Sequence, residues 1–170
     1  LLNLTNQLLD FRKTESQGFR LNFAKCNITE VLKETHVRFT SLAKQKGLEF
    51  TLQVPEKDFY AHVNQEAFTK IISNLLNNGM KYAESYVHVM LEIPETDDDN
   101  LFRIRTVNDG VIIPDEMKEE IFKPFVRFNE QEDGKVTTGT GIGLGLSRSL
   151  AEFHLGTLVM EAGEESNIFC

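Results

Sequence analysis

The run Gly139-Thr140-Gly141-Ile142-Gly143-Leu144-Gly145-Leu146-Ser147-Arg148 places alternate glycines directly before an apolar helical pattern. Glycine leaves backbone N–H groups uncovered at a helix start, where unpaired donors and the helix dipole favour a phosphate. The run therefore points to nucleotide binding. Neither common phosphate loop fits it. Gly134 and Gly139 have the outer spacing of a Walker loop but are followed by Thr140 where lysine is required. A dinucleotide fingerprint fails at its last position, on Leu144 or Leu146. Taken alone, the run is also compatible with a flexible connection.

A second set of polar groups lies along Phe68 to Tyr82. Phe68, Ile71, Ile72, Leu75 and Gly79 follow helical spacing and predict a stripe packed on a core. Asn74, Asn78, Lys81 and Tyr82, at i, i+4, i+7 and i+8, align two amides, an ammonium and a phenol along another side of that helix. An amide oxygen suits a hard Mg2+ ion, and an ammonium suits phosphate oxygens. A solvated polar face is the ordinary alternative, since most helices carry one.

These stretches bring a family into view. Asn74-Leu75-Leu76-Asn77-Asn78-Gly79-Met80-Lys81-Tyr82 resembles the N box of sensor histidine kinases, and Asn108-Asp109-Gly110-Val111-Ile112-Ile113-Pro114 resembles their first glycine box. Ile121-Phe122-Lys123-Pro124-Phe125-Val126-Arg127-Phe128 resembles their phenylalanine box, and Gly139 to Gly145 is similar to the second glycine box. The four stand in the family's order. Ala151-Glu152-Phe153-His154-Leu155-Gly156-Thr157 also resembles the family's helix end and turn into a strand. The resemblance implies the ATP-binding catalytic domain of a two-component sensor kinase, in the GHKL ATPase superfamily. It implies that Asn78 ligates Mg2+, Asn74 supports it, Lys81 meets phosphate and Tyr82 lines the nucleotide pocket. It also implies that Asn108, Gly110 and Ile113 belong to the ATP-binding site, and that the backbone of Gly139, Thr140, Gly141, Ile142, Gly143 and Leu144 wraps the phosphates. Lys123 and Arg127 are further cations near the lid, and Phe122, Phe125 and Phe128 are expected to be core and lid anchors.

The elements that must hold these groups alternate in period. Phe19, Leu21 and Phe23 alternate as in a strand, and Asn27 with Glu30 three residues on caps a helix that Gly47 closes. Leu48 to Val54, Val87 to Ile93 and Phe102 to Thr106 read as strands, the last two separated by the acidic turn Asp97-Asp98-Asp99-Asn100. Asn64 caps the N-box helix. The polar segment 129–138 reads as a loop, which in the family is the ATP lid. A helix from Ile142 to Phe153 and strands near Leu158–Glu161 and Ile168–Cys170 complete the expected fold. That fold is an α/β two-layer sandwich, one mixed sheet with helices on one face, preceded by a helix. Leu1, Leu4, Leu8 and Phe11 recur at three- and four-residue steps, as in a coiled-coil seam or an ordinary amphipathic helix. By resemblance residues 1–17 are the end of a dimerisation and histidine-phosphotransfer helix, with the catalytic domain over 18–170.

The first glycine box departs from the family, which reads Asp-x-Gly-x-Gly-Ile/Leu-Pro. Anchoring on Gly110 and Ile113-Pro114 puts Asn108 at the acid and Ile112 at the second glycine. In the family the acid accepts a hydrogen bond from the adenine amino group. Asn108 can accept through its oxygen or donate to a ring nitrogen, while Ile112 sets a side chain beside the base. Both changes leave open a second reading, a degenerate non-catalytic nucleotide-binding or dimerising signalling module.

Composition fits one modest domain. The chain has 170 residues, 41% of them hydrophobic, with no signal-peptide pattern and no apolar run of membrane-spanning length. Its net charge of −8 argues against a general nucleic-acid surface. Cys26 and Cys170 lack metal-ligand spacing and read as free thiols. None of His36, His62, His88 or His154 stands in the family's acceptor context, a histidine followed closely by an acid and Arg-Thr-Pro. The phosphoacceptor is thus expected on a hairpin upstream of Leu1. Expected partners are that hairpin, a response-regulator receiver domain and a second copy in a homodimer. The domain is expected to be the cytoplasmic portion of an inner-membrane sensor.

Overall fold

The computed structural model describes residues 20–94, 101–128, 140–161, 163 and 165–170. The helix expected over 1–17, the boundary at 18, the acidic turn, the lid segment 129–138 and Gly139 lie outside the described residues.

The first described strand, β1 (Ala24–Asn27), runs into helix α1 (Ile28–Lys46). Asn27 ends one and starts the other, its side chain accepting from the Glu30 N–H. Gly47, at φ 70°, closes the helix in the left-handed region. The alternation at Phe19, Leu21 and Phe23 predicts a strand several residues too early. The strand lies where it can pair with β3 (Tyr60–Val63), in the register Ala24↔Val63 to Asn27↔Tyr60 that turns Cys26 inward. Phe23 stays 48% exposed and meets the His154 ring edge-on at 5.4 Å.

β2 (Glu49–Gln53), β4 (Tyr86–Glu92), β5 (Arg103–Asn108), β6 (Met160–Glu161) and β7 (Asn167–Phe169) form a five-stranded mixed sheet in the order β2-β4-β5-β7-β6. β2 and β4 are parallel and the remaining pairs antiparallel. The expected mixed sheet is present, and β1 and β3 form a separate two-stranded sheet. On β4, Val87, Val89 and Leu91 are buried while their neighbours are half-buried, so one face is covered by helices. On the opposite face Arg105 bridges Glu92 and Glu161.

Helix α2 (Gln65–Tyr82) starts at Asn64, whose side chain accepts from the Ala67 N–H. Its apolar residues serve two cores. Phe68, Ile72, Leu76 and Met80 pack with α1 and β4, whereas Ala67, Ile71 and Leu75 pack with helix α3 (Gly143–Phe153), Phe122 and Phe169. Gly79 lets α2 approach the sheet: a Cβ there would lie 3.1 Å from Val87 Cγ1. The phenylalanine-box turn is fastened to α3 by Arg148, which lies 3.5 Å over the Phe122 ring, pairs with Glu119 at 2.7 Å and donates to the Leu158 carbonyl. Both cysteines carry free thiols. No helix among the described residues is long and apolar enough to cross a membrane.

Candidate nucleotide site

Because α2 sends its apolar residues to two cores, its remaining flank faces a cavity of about 350 Å³ bounded by β5, β7 and the start of α3. Asn74, Asn78, Lys81 and Tyr82 all line it, as their spacing predicts. Asn74 Nδ2 donates to the Gly143 carbonyl at 3.3 Å and the Ser147 hydroxyl at 3.1 Å, which fixes where α3 begins. The Asn78 amide makes no hydrogen bond with any described residue, leaving its oxygen available on the cavity wall. Lys81 is turned aside: its Nζ donates to Tyr82 Oη at 2.7 Å and lies 4.5 Å from that ring's centroid. Tyr82 stands at the rim, 42% exposed.

The facing wall is the turn into α3. Gly141 has φ 67°, and a Cβ there would lie 2.8 Å from Phe125 Cα, so glycine is required on both counts. Its carbonyl accepts from Phe125 N at 2.9 Å. Thr140, Gly141, Gly143 and Leu144 line the cavity. Thr140 Oγ1 accepts from Ile142 N, and among the described residues no side chain caps α3, so its first-turn N–H groups keep their donor capacity. The Ile142 side chain is fully buried in the core and does not reach the cavity. Phe125 is not the core residue expected, being 65% exposed with φ 66° where the backbone wraps Gly141. Phe122 is buried, Phe128 lines the cavity, and Arg127 lines it while Lys123 pairs with Glu120.

The opposite end is apolar apart from two buried amides. Asn108 ends β5, 5% exposed, paired in register with Asn167 of β7, which is 3% exposed. Val111, Ile113 and Phe169 surround them on the cavity wall. Asp109 points away and clamps the α2–β4 turn, accepting from the backbone N–H of Glu84, Ser85 and Tyr86 and from the Ser85 hydroxyl. Burial pushes the Asp109 carboxyl up, and the Ser85 hydroxyl with these backbone donors outweighs it, bringing the pKa down to about 2. The register that sets Asn108 toward the cavity is therefore the one the structure adopts. Gly110 does not line the cavity; a Cβ on it would lie 2.1 Å from the Tyr82 carbonyl oxygen. Ile112 departs from expectation. Its side chain is 40% exposed and Ile112 does not line the cavity, whereas Val111 and Ile113 do.

Asn167 is the residue that sequence reasoning misses. Its Oδ1 accepts from Ile113 N at 3.0 Å, and its Nδ2 donates to the carbonyls of Val111 at 3.0 Å and Gly110 at 3.3 Å. One amide thus holds the whole first glycine box. Asn77, Ile121 and Val126 also line the cavity without having been singled out.

A family model described as histidine kinase-, DNA gyrase B-, and HSP90-like ATPase matches residues 63–168. Histidine kinase P4 of Formosa agariphila is 32% identical over 160 residues, covering 93% of this chain and 12% of that protein. Sensor histidine kinase WalK of Bacillus subtilis is 27% identical over 158 residues, covering 93% of this chain and 26% of that protein. The chain thus spans between 12% and 26% of the length of these relatives. Among solved structures, the nucleotide-free catalytic domain of histidine kinase ThkA superposes with a TM-score of 0.74 at 24% identity, over 88% of this chain and 93% of that one. Full-length ShkA in complex with AMPPNP gives 0.81 at 20% identity, over 99% of this chain and 35% of that one. ThkA in complex with response regulator TrrA gives 0.76 at 20% identity, over 98% and 46%. These structural likenesses are of fold.

Proposed function

The chain belongs to the histidine kinase-, DNA gyrase B- and HSP90-like ATPase family as a histidine-kinase catalytic domain, and we propose that it binds ATP with Mg2+ and passes the γ-phosphoryl group to a histidine on an upstream hairpin. The observation that carries this is the polarity of one cavity. Two amides, an ammonium and the uncapped start of α3 gather at one end, and a buried amide among apolar side chains lies at the other. The first end suits a polyanion and the second a purine.

In this proposal Asn78 offers its unpartnered amide oxygen to the metal. Phosphate oxygens and water would complete its shell, as is usual for Mg2+ held by few protein ligands. Mg2+ supplies charge neutralisation across the phosphates when bound. Asn74 positions α3, and Lys81 leaves Tyr82 Oη to meet a phosphate. The N–H groups of Thr140, Gly141, Gly143 and Leu144 would receive phosphate oxygens, with Gly139 expected to join them, while that of Ile142 is held by Thr140 Oγ1. Transfer then needs only positioning and charge stabilisation of the γ-phosphoryl group, which such an end provides to a hairpin docked from outside. A response-regulator receiver domain is the proposed next partner, as TrrA is for ThkA. The parent protein is proposed to be a membrane-bound homodimer with this domain in the cytoplasm.

Calorimetric titration with ATP, with and without Mg2+, tests the proposal. Mg2+-dependent tightening is expected in the chain and absent in Asn78→Ala, and acid-labile label should pass to a supplied acceptor hairpin, not to this chain. Unaltered metal dependence in Asn78→Ala overturns the metal assignment. Failure of transfer despite ATP binding favours a non-catalytic module.

A further inference from the structure

We propose that the base end of this pocket does not select adenine, and takes a 6-oxopurine nucleotide at least as readily as ATP. The inference rests on the nucleotide site proposed above and deepens it.

Two buried amides carry the argument. Asn167 has a fixed orientation, because its Oδ1 faces a backbone N–H, that of Ile113 at 3.0 Å, and its Nδ2 faces two backbone carbonyls, those of Val111 at 3.0 Å and Gly110 at 3.3 Å. Rotating it would oppose like groups at all three contacts. The same Nδ2 lies 3.5 Å from Asn108 Oδ1, and Gly110 N donates to that oxygen at 3.2 Å. Both neighbours are donors, so Asn108 must keep its oxygen turned inward. Reversing the amide would strand the Gly110 N–H and set two NH2 groups against each other in a buried place, where an unmet donor is costly.

The oxygen is thus consumed by the protein, and Asn108 Nδ2 remains. It makes no hydrogen bond to any described residue, and it belongs to a buried residue, 5% exposed, that lines the cavity. What Asn108 offers a bound base is therefore a donor. Of the alternatives open to Asn108 in the sequence, acceptance from an amino group is the one the structure removes.

Adenine and hypoxanthine differ at the edge such a group reads. Adenine presents an amino donor at C6 with N1 as acceptor, whereas hypoxanthine presents a carbonyl acceptor at C6 with N1–H as donor. A lone amide donor pairs with the 6-carbonyl directly. With adenine it must avoid the amino group and reach N1. The site therefore lacks the element that rejects a carbonyl, and specificity is a difference of affinities. Hypoxanthine has no 2-amino group, so it probes the 6-position without added bulk.

Competitive calorimetry of the chain with ATP and inosine triphosphate, both with Mg2+, tests this without any variant. The inosine nucleotide should bind as tightly as ATP or tighter, and an ATP preference above about threefold overturns the proposal. Asn108→Asp keeps the inward acceptor and replaces the cavity-facing donor by a carboxylate oxygen, so the ATP-to-inosine ratio should rise by about tenfold. A folded Asn108→Asp protein with an unchanged ratio also overturns it. If neither nucleotide binds, the nucleotide-site proposal itself fails and takes this one with it. If ATP binds and inosine triphosphate is rejected, only the present inference falls.

Discussion

Asn74 of α2 donates to the hydroxyl of Ser147 in α3 at 3.1 Å, and Ser147 is fully buried. This bond joins the two helices beside the cavity, so a side chain that lines the cavity is also the one that sets α3. Ser147→Ala removes one acceptor from a part-buried amide and should cost about 1 kcal/mol. ATP affinity should fall by about three- to tenfold as α3 loses its register, because positioning and not contact is lost. Urea denaturation and calorimetry on the same variant separate the two effects.

Gly110 admits no side chain, since a Cβ there would lie 2.1 Å from the Tyr82 carbonyl oxygen. That oxygen is backbone and cannot step aside as a flexible side chain can. Gly110→Ala should destabilise the domain by about 2 to 4 kcal/mol, within the range for overpacking and displaced backbone. A melting temperature within a degree or two of the parent would contradict that contact.

The Asp109 clamp makes stability depend on acid. Its carboxyl titrates near pH 2 in the folded chain against an ordinary 3.8, so the folded state favours the ionised form. The contribution is complete above about pH 4 and is lost as pH falls through 2. For a group with much solvent contact the worth is screened to about 1 kcal/mol. Asp109→Asn should be less stable than the parent by that amount at pH 7, with the gap closing near pH 2. Denaturation midpoints across that range give the answer.

Thr106 is buried at 3% exposure on β5, and its Oγ1 finds no hydrogen-bond partner among the described residues. Valine has the same shape without the polar atom. Thr106→Val should therefore be neutral or stabilise the domain by up to about 1 kcal/mol, against the destabilisation most core changes bring. A loss of more than about 1 kcal/mol in urea denaturation would mean that the hydroxyl has a partner.

The features legible in the sequence are the local and periodic ones. Asn27, Gly47 and Asn64 announce helix ends because a cap is made within three or four residues of chain. The row Asn74, Asn78 and Lys81 is legible because helical period alone puts those residues on one flank. Asn167 is invisible by the same reasoning: it lies in a three-residue strand, and its meaning comes from the β5–β7 register with a residue 59 positions earlier. The first glycine box has no period between Gly110 and Pro114, so the resemblance alone puts Ile113 at the site, and nothing in the residues tells that Ile112 stays off the cavity. Phe125 reads as core by type, but its backbone is bent by the Gly141 turn sixteen residues on, and the ring is carried outward.

The contact between Gly110 and the end of α2 has a metrical consequence. With strand end and helix end touching at backbone distance, the span from the buried amide pair to the row of amides on α2 is a length built into the chain, and along α2 that row is graduated at about 6 Å per four residues. The pocket is a gauge with one jaw fixed. Whatever occupies the cavity meets the amide pair and the row on α2 at a separation that the backbone sets and side-chain rotation cannot change.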